Sequence, residues 1–312
     1  LLLCQYICIF AKVNVYFRNP NLYQGQRMNN ARNVYQYIKE ILLERYNAGE
    51  ADAMTRWIME KMYHVDWNGI LAEKNIDQNE NQLKRVEEIL ERLYEYEPLQ
   101  YIFGEVSFFH LNLKVNKHVL IPRPETEELA SLIVKKHEEA KSLKILDIGT
   151  GSGCIALALA SLLPQSNVIG IDVDTNALQV ARENAGLNQV SVTWLQLDIL
   201  NQNLPENGYD IIVSNPPYIC ESEKKDMKAN VLDYEPPHAL FVPDDKPLLF
   251  YRKIVNQANL YLMSGGYIYF ETNYRYASDV ALLLKQQGYE DVTIEEDISG
   301  MPRIVWARKP KK

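Results

Sequence analysis

The chain has 312 residues, is 47% hydrophobic and 24% charged, and so has the composition of an ordinary globular protein with room for two domains. Its net charge of −8 argues against a general nucleic-acid-binding surface, because neutralising phosphates takes clustered Lys and Arg. Cysteines at 4, 8, 154 and 220 give no disulfide framework and no metal spacing beyond a weak Cys4/Cys8 pair, and His64, His110, His118, His137 and His238 show no ligand pairing. No metal is expected, and the cysteine usage fits a reducing cytoplasm.

The chain opens with LLLCQYICIF, too short to span a bilayer and without the basic start or small-residue cleavage site of a signal peptide. Asn19-Pro20-Asn21 and Gly25 read as loop, and a helical pattern begins just after Met28. Met28 is therefore the expected natural start, with residues 1–27 a leader from upstream translation or added sequence. A membrane anchor is the alternative for that segment.

Residues 28–98 read as an all-helical domain. Val34, Tyr37, Ile38, Ile41 and Leu42 form one apolar stripe. A second helix opens at Glu50-Ala51-Asp52 and runs through Met54, Trp57, Ile58 and Met62. A third begins near Asp77 and runs through Leu83, Val86, Ile89, Leu90 and Leu93. The segment holds nine basic and fourteen acidic residues, so it is no DNA clamp. A small bundle beside a catalytic domain suits substrate docking or a stabilising cap.

Residues 99–120 read as a linker carrying a β-hairpin, Val106 to Phe109 and Leu111 to Val115. In VLIPRPETEEL, Ile121 and Arg123 are held extended by the prolines that follow them. Pro124-Glu125 then opens a helix, with proline at its first position and acids in its first turn.

A strand from Lys144 runs into Gly149-Thr150-Gly151-Ser152-Gly153, and a helix starts at Cys154. Glycines permit the tight turn and a close ligand approach, and the helix start adds unpaired N–H groups. The spacing is not that of a dinucleotide fingerprint, which needs glycine at the position of Cys154. A second strand, Val168 to Ile171, ends in Asp172, placed to take two ribose hydroxyls; Asp174 is its rival. A third, Val190 to Leu197, ends in Asp198-Ile199, suited to an adenine amino group and ring face. A fourth, Ile211 to Val213, runs into Asn215-Pro216-Pro217-Tyr218. The prolines stop the strand and stiffen its end. The Asn215 side-chain carbonyl and the Pro216 carbonyl can accept both hydrogens of a planar –NH2 group, with the Tyr218 ring stacked on it.

These four elements fall in the order of class I methyltransferases that use S-adenosylmethionine (SAM). PLQYIFGE, LIPRPETEEL, DIGTGSGCIALALA, SNPPYI, YEPPHAL and DISGMPRIVWAR together resemble the HemK/PrmC family, from about Met28 to Arg308. The resemblance implies an α/β, Rossmann-like, mostly parallel seven-stranded sheet over 121–312, with a helical substrate-docking domain over 28–98. It implies methyl transfer from SAM to the glutamine of the Gly-Gly-Gln motif of peptide-chain release factors, with S-adenosylhomocysteine as product. Gly149 to Gly153, Asp172, Asp198, Ile199 and Asn215 would bind the cofactor. Asn215, Pro216, Pro217 and Tyr218 would hold the substrate, with Asn215, Pro216 and Tyr218 catalytic. A cytoplasmic monomer that binds neither nucleic acid nor membrane is expected. A DNA or RNA adenine-amino methyltransferase and a non-catalytic SAM-binding adaptor are the alternatives. Glu271-Thr272-Asn273 stands where the family often has Glu-x-Gly, a departure expected to leave the site untouched.

Overall fold

A computed structural model describes residues 29–76, 79–205 and 207–311. The expected start at Met28, the character of residues 1–27 and the expected helix start at Asp77 lie outside the described residues. The chain divides into two units after Ile102.

The first unit is helical: α1 (Ala31–Leu42), α2 (Ala48–Tyr63), a short α3 (Trp67–Leu71) and α4 (Glu80–Tyr94). Asn30, Asn47, Asp66 and Asn79 cap these four helices, each accepting a backbone N–H with its side chain. The Asn79–Gln82 capping box sets the start of α4 at Glu80. The buried face of α1 is Ala31, Val34, Tyr35, Ile38 and Leu42, so Tyr35 takes the place expected of Tyr37. Its ring is buried while its hydroxyl reaches Asp52, which also pairs with Lys39 at 2.6 Å. In α2 the buried set is Ala51, Thr55, Ile58, Met59 and Tyr63, which leaves Met54, Trp57 and Met62 on its flanks.

At the division lies α5 (Leu99–Phe103), a helical turn where plain linker was expected. The second unit starts with the hairpin β1 (Glu105–Phe108) and β2 (Leu111–Lys114), then α6 (Pro124–His137) with proline at its start. There follow β3 (Lys144–Ile148), α7 (Cys154–Leu162), β4 (Asn167–Asp172), α8 (Thr175–Asn188), β5 (Thr193–Gln196) and β6 (Tyr209–Ser214). Next come β7 (Ile219–Cys220), α9 (Ala229–Leu232), β8 (Phe241–Val242), α10 (Leu249–Tyr261) and β9 (Leu262–Glu271). The last elements are α11 (Ala277–Gln286), β10 (Glu290–Glu296) and β11 (Pro302–Arg308).

Seven strands form one sheet in the order β10-β11-β9-β6-β3-β4-β5. Only β11 runs against its neighbours, so the sheet is mostly parallel, as the motif order implied. Helices cover both faces, which makes the central strands nearly continuous apolar runs. Ile148 and Ile212 join the core shared with α10 and α11; Ile145 and Ile211 join the one shared with α6 and α7. From β3 the chain winds outward through β4 and β5, then returns to β6 on the other side. That reversal opens a crevice at the carboxyl ends of β3 and β6, where such sheets bind ligands. The strand expected over Val190–Leu197 is shorter, because Gln189 ends α8 in a left-handed turn and the Val190 N–H still bonds to Ala185.

Candidate active site

Gly149, Gly151 and Gly153 all have positive φ, at 72°, 55° and 83°. A Cβ on Gly149 or Gly151 would meet nothing within 4 Å, so open space lies against the loop backbone there. At Gly153 it would lie 2.8 Å from the Trp194 ring, so this glycine serves packing. The loop is clamped to the end of β4: Gly149 and Thr150 N–H groups donate to the Ile171 carbonyl at 2.9 and 3.0 Å. Gly151 N–H donates to Asp172 Oδ2 at 2.9 Å, and Asp174 N–H donates to Oδ1 at 3.0 Å. Each Asp172 oxygen keeps lone-pair capacity for a ligand. Burial holds its carboxyl above the usual carboxylate range, against the pull of those two N–H donors. Asp174, the rival, accepts from Asn176 and caps α8. From behind, buried Asn184 donates to the carbonyls of Ser152 (2.9 Å) and Lys114 (3.0 Å), tying the loop to β2.

A cavity of about 300 Å³ opens at this edge. Gly149, Thr150, Gly151, Ser152, Asp172, Asp198, Ile199, Asn215, Pro216 and Pro217 line it, whereas Gly153 and Tyr218 do not. Asp198 shapes its own corner, accepting from the Leu200 N–H at 2.9 Å and from Asn201 at 2.7 Å. Another wall comes from the segment leading into α6, with Pro122 and Thr126 on the lining. Glu235 of YEPPHAL fixes that segment: its buried carboxylate accepts from the Ile121 N–H at 3.1 Å and pairs with Arg123.

At the end of β6, Ser214 donates to the Ile148 carbonyl at 2.6 Å, locking the two strand ends together. Asn215 Nδ2 donates to Thr126 Oγ1 at 3.2 Å, and Thr126 Oγ1 donates to Glu271 Oε2 at 2.7 Å. The Tyr218 hydroxyl donates to Glu271 Oε1 at 3.2 Å. Tyr251 donates to the backbone carbonyl of Glu271 at 3.0 Å. Burial pushes the Glu271 carboxyl up, while the Thr126 and Tyr218 hydroxyls and the Arg303 charge pull it down. Burial, then the charge of Glu271, raises the Tyr218 hydroxyl far above its usual value. The departure at Asn273 stays off the cavity lining, its side chain donating to Glu223, whereas Glu271, given no role from the sequence, is joined through Thr126 to Asn215 and directly to Tyr218.

Sequence reasoning also gave no role to Thr126, Glu235, His118 or His238, although both histidines line the cavity. Thr126 and Glu235 lay inside motifs whose spelling was noticed but whose contacts were not. Among the described residues no three His, Cys, Asp or Glu side chains gather as a metal site. The donor set fits SAM: Cβ-free backbone at Gly149 and Gly151, a buried acid at the end of β4, and an apolar corner at Ile199. The cavity volume lies at the lower end of small-molecule sites.

Residues 125–234 match the family model described as Methyltransferase small domain, and 33–104 match the PrmC N-terminal domain. The chain is 40% identical over 277 residues to the release factor glutamine methyltransferase of Flavobacterium psychrophilum, covering 88% of this chain and 97% of that protein. It is 42% identical over 274 residues to the release factor glutamine methyltransferase of Bacteroides thetaiotaomicron, covering 88% and 98%. Among solved structures, the hMettl16 catalytic domain in complex with MAT2A 3′UTR hairpin 6 superposes with a TM-score of 0.52 at 15% identity, covering 83% of this chain and 91% of that one. At that identity the likeness is one of fold alone.

Proposed function

The chain belongs to the family of release factor glutamine methyltransferases, and on that premise we propose that it methylates the side-chain amide nitrogen of the Gly-Gly-Gln glutamine in peptide-chain release factors, using SAM. One observation carries this reading. Asn215 and Pro216 line the same cavity as the glycine loop and Asp172, so amide holder and cofactor residues share one space.

SAM, when bound, supplies an electrophilic methyl on a sulfonium. Asp172 would hold the ribose hydroxyls, Asp198 and Ile199 the adenine, and Gly149 and Gly151 would allow close approach of the rest. An amide nitrogen is a poor nucleophile, because its lone pair is delocalised into the carbonyl. Asn215 and the Pro216 carbonyl would accept its two hydrogens and aim it. Those bonds strengthen as the nitrogen becomes positive, so they favour the transition state over the ground state. Holding both reactants in near-attack geometry supplies roughly 7–11 kcal/mol. One N–H proton leaves after the transfer, so no general base is required. Tyr218 and Pro217 would stiffen and shield the amide pocket.

The pocket holds only a few atoms and cannot by itself select one glutamine. Two glycines before the target would let a bare loop enter without side-chain clashes. We assign protein recognition to the helical unit, a second contact that raises the effective concentration of the loop at the pocket. The place of action we assign is the cytoplasm, where release factors work; among the described residues no helix is long and apolar enough to cross a membrane.

Mass spectrometry of a release factor incubated with this protein and SAM tests the reading. The expected result is one added methyl on the Gly-Gly-Gln peptide. An unmodified glutamine together with methylated adenine in DNA would overturn it.

A further inference from the structure

The Thr126 hydroxyl has one hydrogen and two polar neighbours. Glu271 Oε2 lies 2.7 Å away and Asn215 Nδ2 lies 3.2 Å away. Thr126 is 2% exposed and Glu271 is 1% exposed, so both are buried at the edge of the cavity. Glu271 accepts at both oxygens, from Thr126 at Oε2 and from Tyr218 at Oε1, so the single hydrogen goes to Glu271. Thr126 must then accept from Asn215. A carboxamide has one donor end and one acceptor end; with Nδ2 held by Thr126, Oδ1 is the end left for a ligand in the cavity.

We propose that Glu271 and Thr126 are positioning residues, a polarity relay that locks the Asn215 amide with its oxygen toward the cavity. This rests on the reading of the site as a holder of a glutamine amide. The relay answers a specific difficulty. The target amide has two ends of nearly equal shape, and its oxygen is intrinsically the more nucleophilic. An Asn215 free to rotate could donate to that oxygen and seat the substrate backwards. A locked acceptor admits only the NH2 end. It also rejects a glutamate side chain, which is acceptor-only and would face lone pair against lone pair. The same carboxylate accepts from Tyr218 at 3.2 Å, so one buried acid sets the polarity on both sides of the Pro-Pro turn.

Three variants test the relay: Thr126→Val keeps the shape without the hydroxyl, Thr126→Ser keeps the hydroxyl, and Glu271→Gln keeps the shape but adds a donor. The measurements are SAM affinity by calorimetry, Tm, turnover on a release factor, and the inhibition ratio of a Gly-Gly-Gln peptide over a Gly-Gly-Glu peptide. Thr126→Val and Glu271→Gln are expected to lower kcat by about tenfold to a hundredfold and to bring the peptide ratio toward one, with SAM affinity kept. Thr126→Ser is expected to restore both. Unchanged kcat and peptide ratio in Thr126→Val would overturn the relay, as would a Thr126→Ser protein as poor as Thr126→Val. Should Thr126→Val not fold, Glu271→Gln decides alone, and wild-type discrimination in it overturns the relay. A wild-type protein that leaves the glutamine unmodified would instead overturn the functional reading beneath it.

Discussion

Thr150 donates its hydroxyl hydrogen to Asp147 Oδ2 across 2.6 Å, from the glycine loop back to the strand that feeds it. Asp147 is fully buried, and burial pushes its carboxyl up to about 7, with the nearby Asp172 charge adding to the rise and the Thr150 and Ala156 donors opposing it. The unfolded chain releases this proton near pH ~4. The native state therefore binds the proton more tightly, and stability falls as pH rises from about 4 to about 7. Asp147→Asn is expected to raise the Tm of the ligand-free protein at pH 8, by a free energy of about 4 kcal/mol at most, with little effect near pH 4. Thermal melts of both proteins across this range check it. A Tm difference independent of pH would exclude the buried ionisation as its cause.

Asp172→Ala is expected to weaken SAM binding. Each charge-assisted hydrogen bond to the ribose is worth about 1.5–3 kcal/mol before compensation. The substitution also frees the Gly151 N–H that holds the glycine loop to β4, and the Asp174 N–H of the turn after it. Calorimetric titration of SAM and S-adenosylhomocysteine measures the loss, and equal affinity in the two proteins would remove Asp172 from the cofactor site.

Asn215→Ala is expected to cut turnover by about a hundredfold or more, since a lost transition-state partner costs about 2.7–4 kcal/mol. SAM affinity should largely survive, because the glycine loop and Asp172 remain. Single-turnover rates at saturating SAM and release factor decide this, and near-normal turnover would end the amide-holder mechanism.

In the helical unit, Leu43 and Leu71 are 45% and 59% exposed, which makes them the apolar side chains to test first for contact with the release factor. Leu43→Glu and Leu71→Glu are expected to leave Tm nearly unchanged. They should lower kcat/KM on the intact release factor several-fold, and leave a short Gly-Gly-Gln peptide unaffected. Equal rates on both substrates for wild type and variants would remove these two leucines from docking.

Much of this was legible beforehand, and for a physical reason. Glycine and proline act on their own backbone, so the loop at Gly149–Gly153 and the strand stop at Pro216 needed no knowledge of neighbours. The place of Asp172 on the cavity was readable because it ends the strand that follows the glycine loop. The misreadings lie where a side chain finds a partner far along the chain. Tyr35 is buried in place of Tyr37 because its hydroxyl reaches Asp52, which apolar periodicity does not register. Glu271 was passed over because its partner Thr126 stands 145 residues earlier, and no local spacing encodes that contact.

The one reversed strand has a consequence for how the chain folds. Because β11 lies between β9 and β10, β10 has no ladder to join until the segment after it arrives. Until then the outer edge of β9, with Tyr269 and Phe270 in its middle, is an open template for pairing with other chains. β10 therefore joins the sheet only with or after β11, as the outer arm of a hairpin, and a chain cut between them leaves β10 without its ladder. Aggregation of the nascent protein is expected to be governed by how fast that hairpin closes, rather than by the stability of the finished sheet.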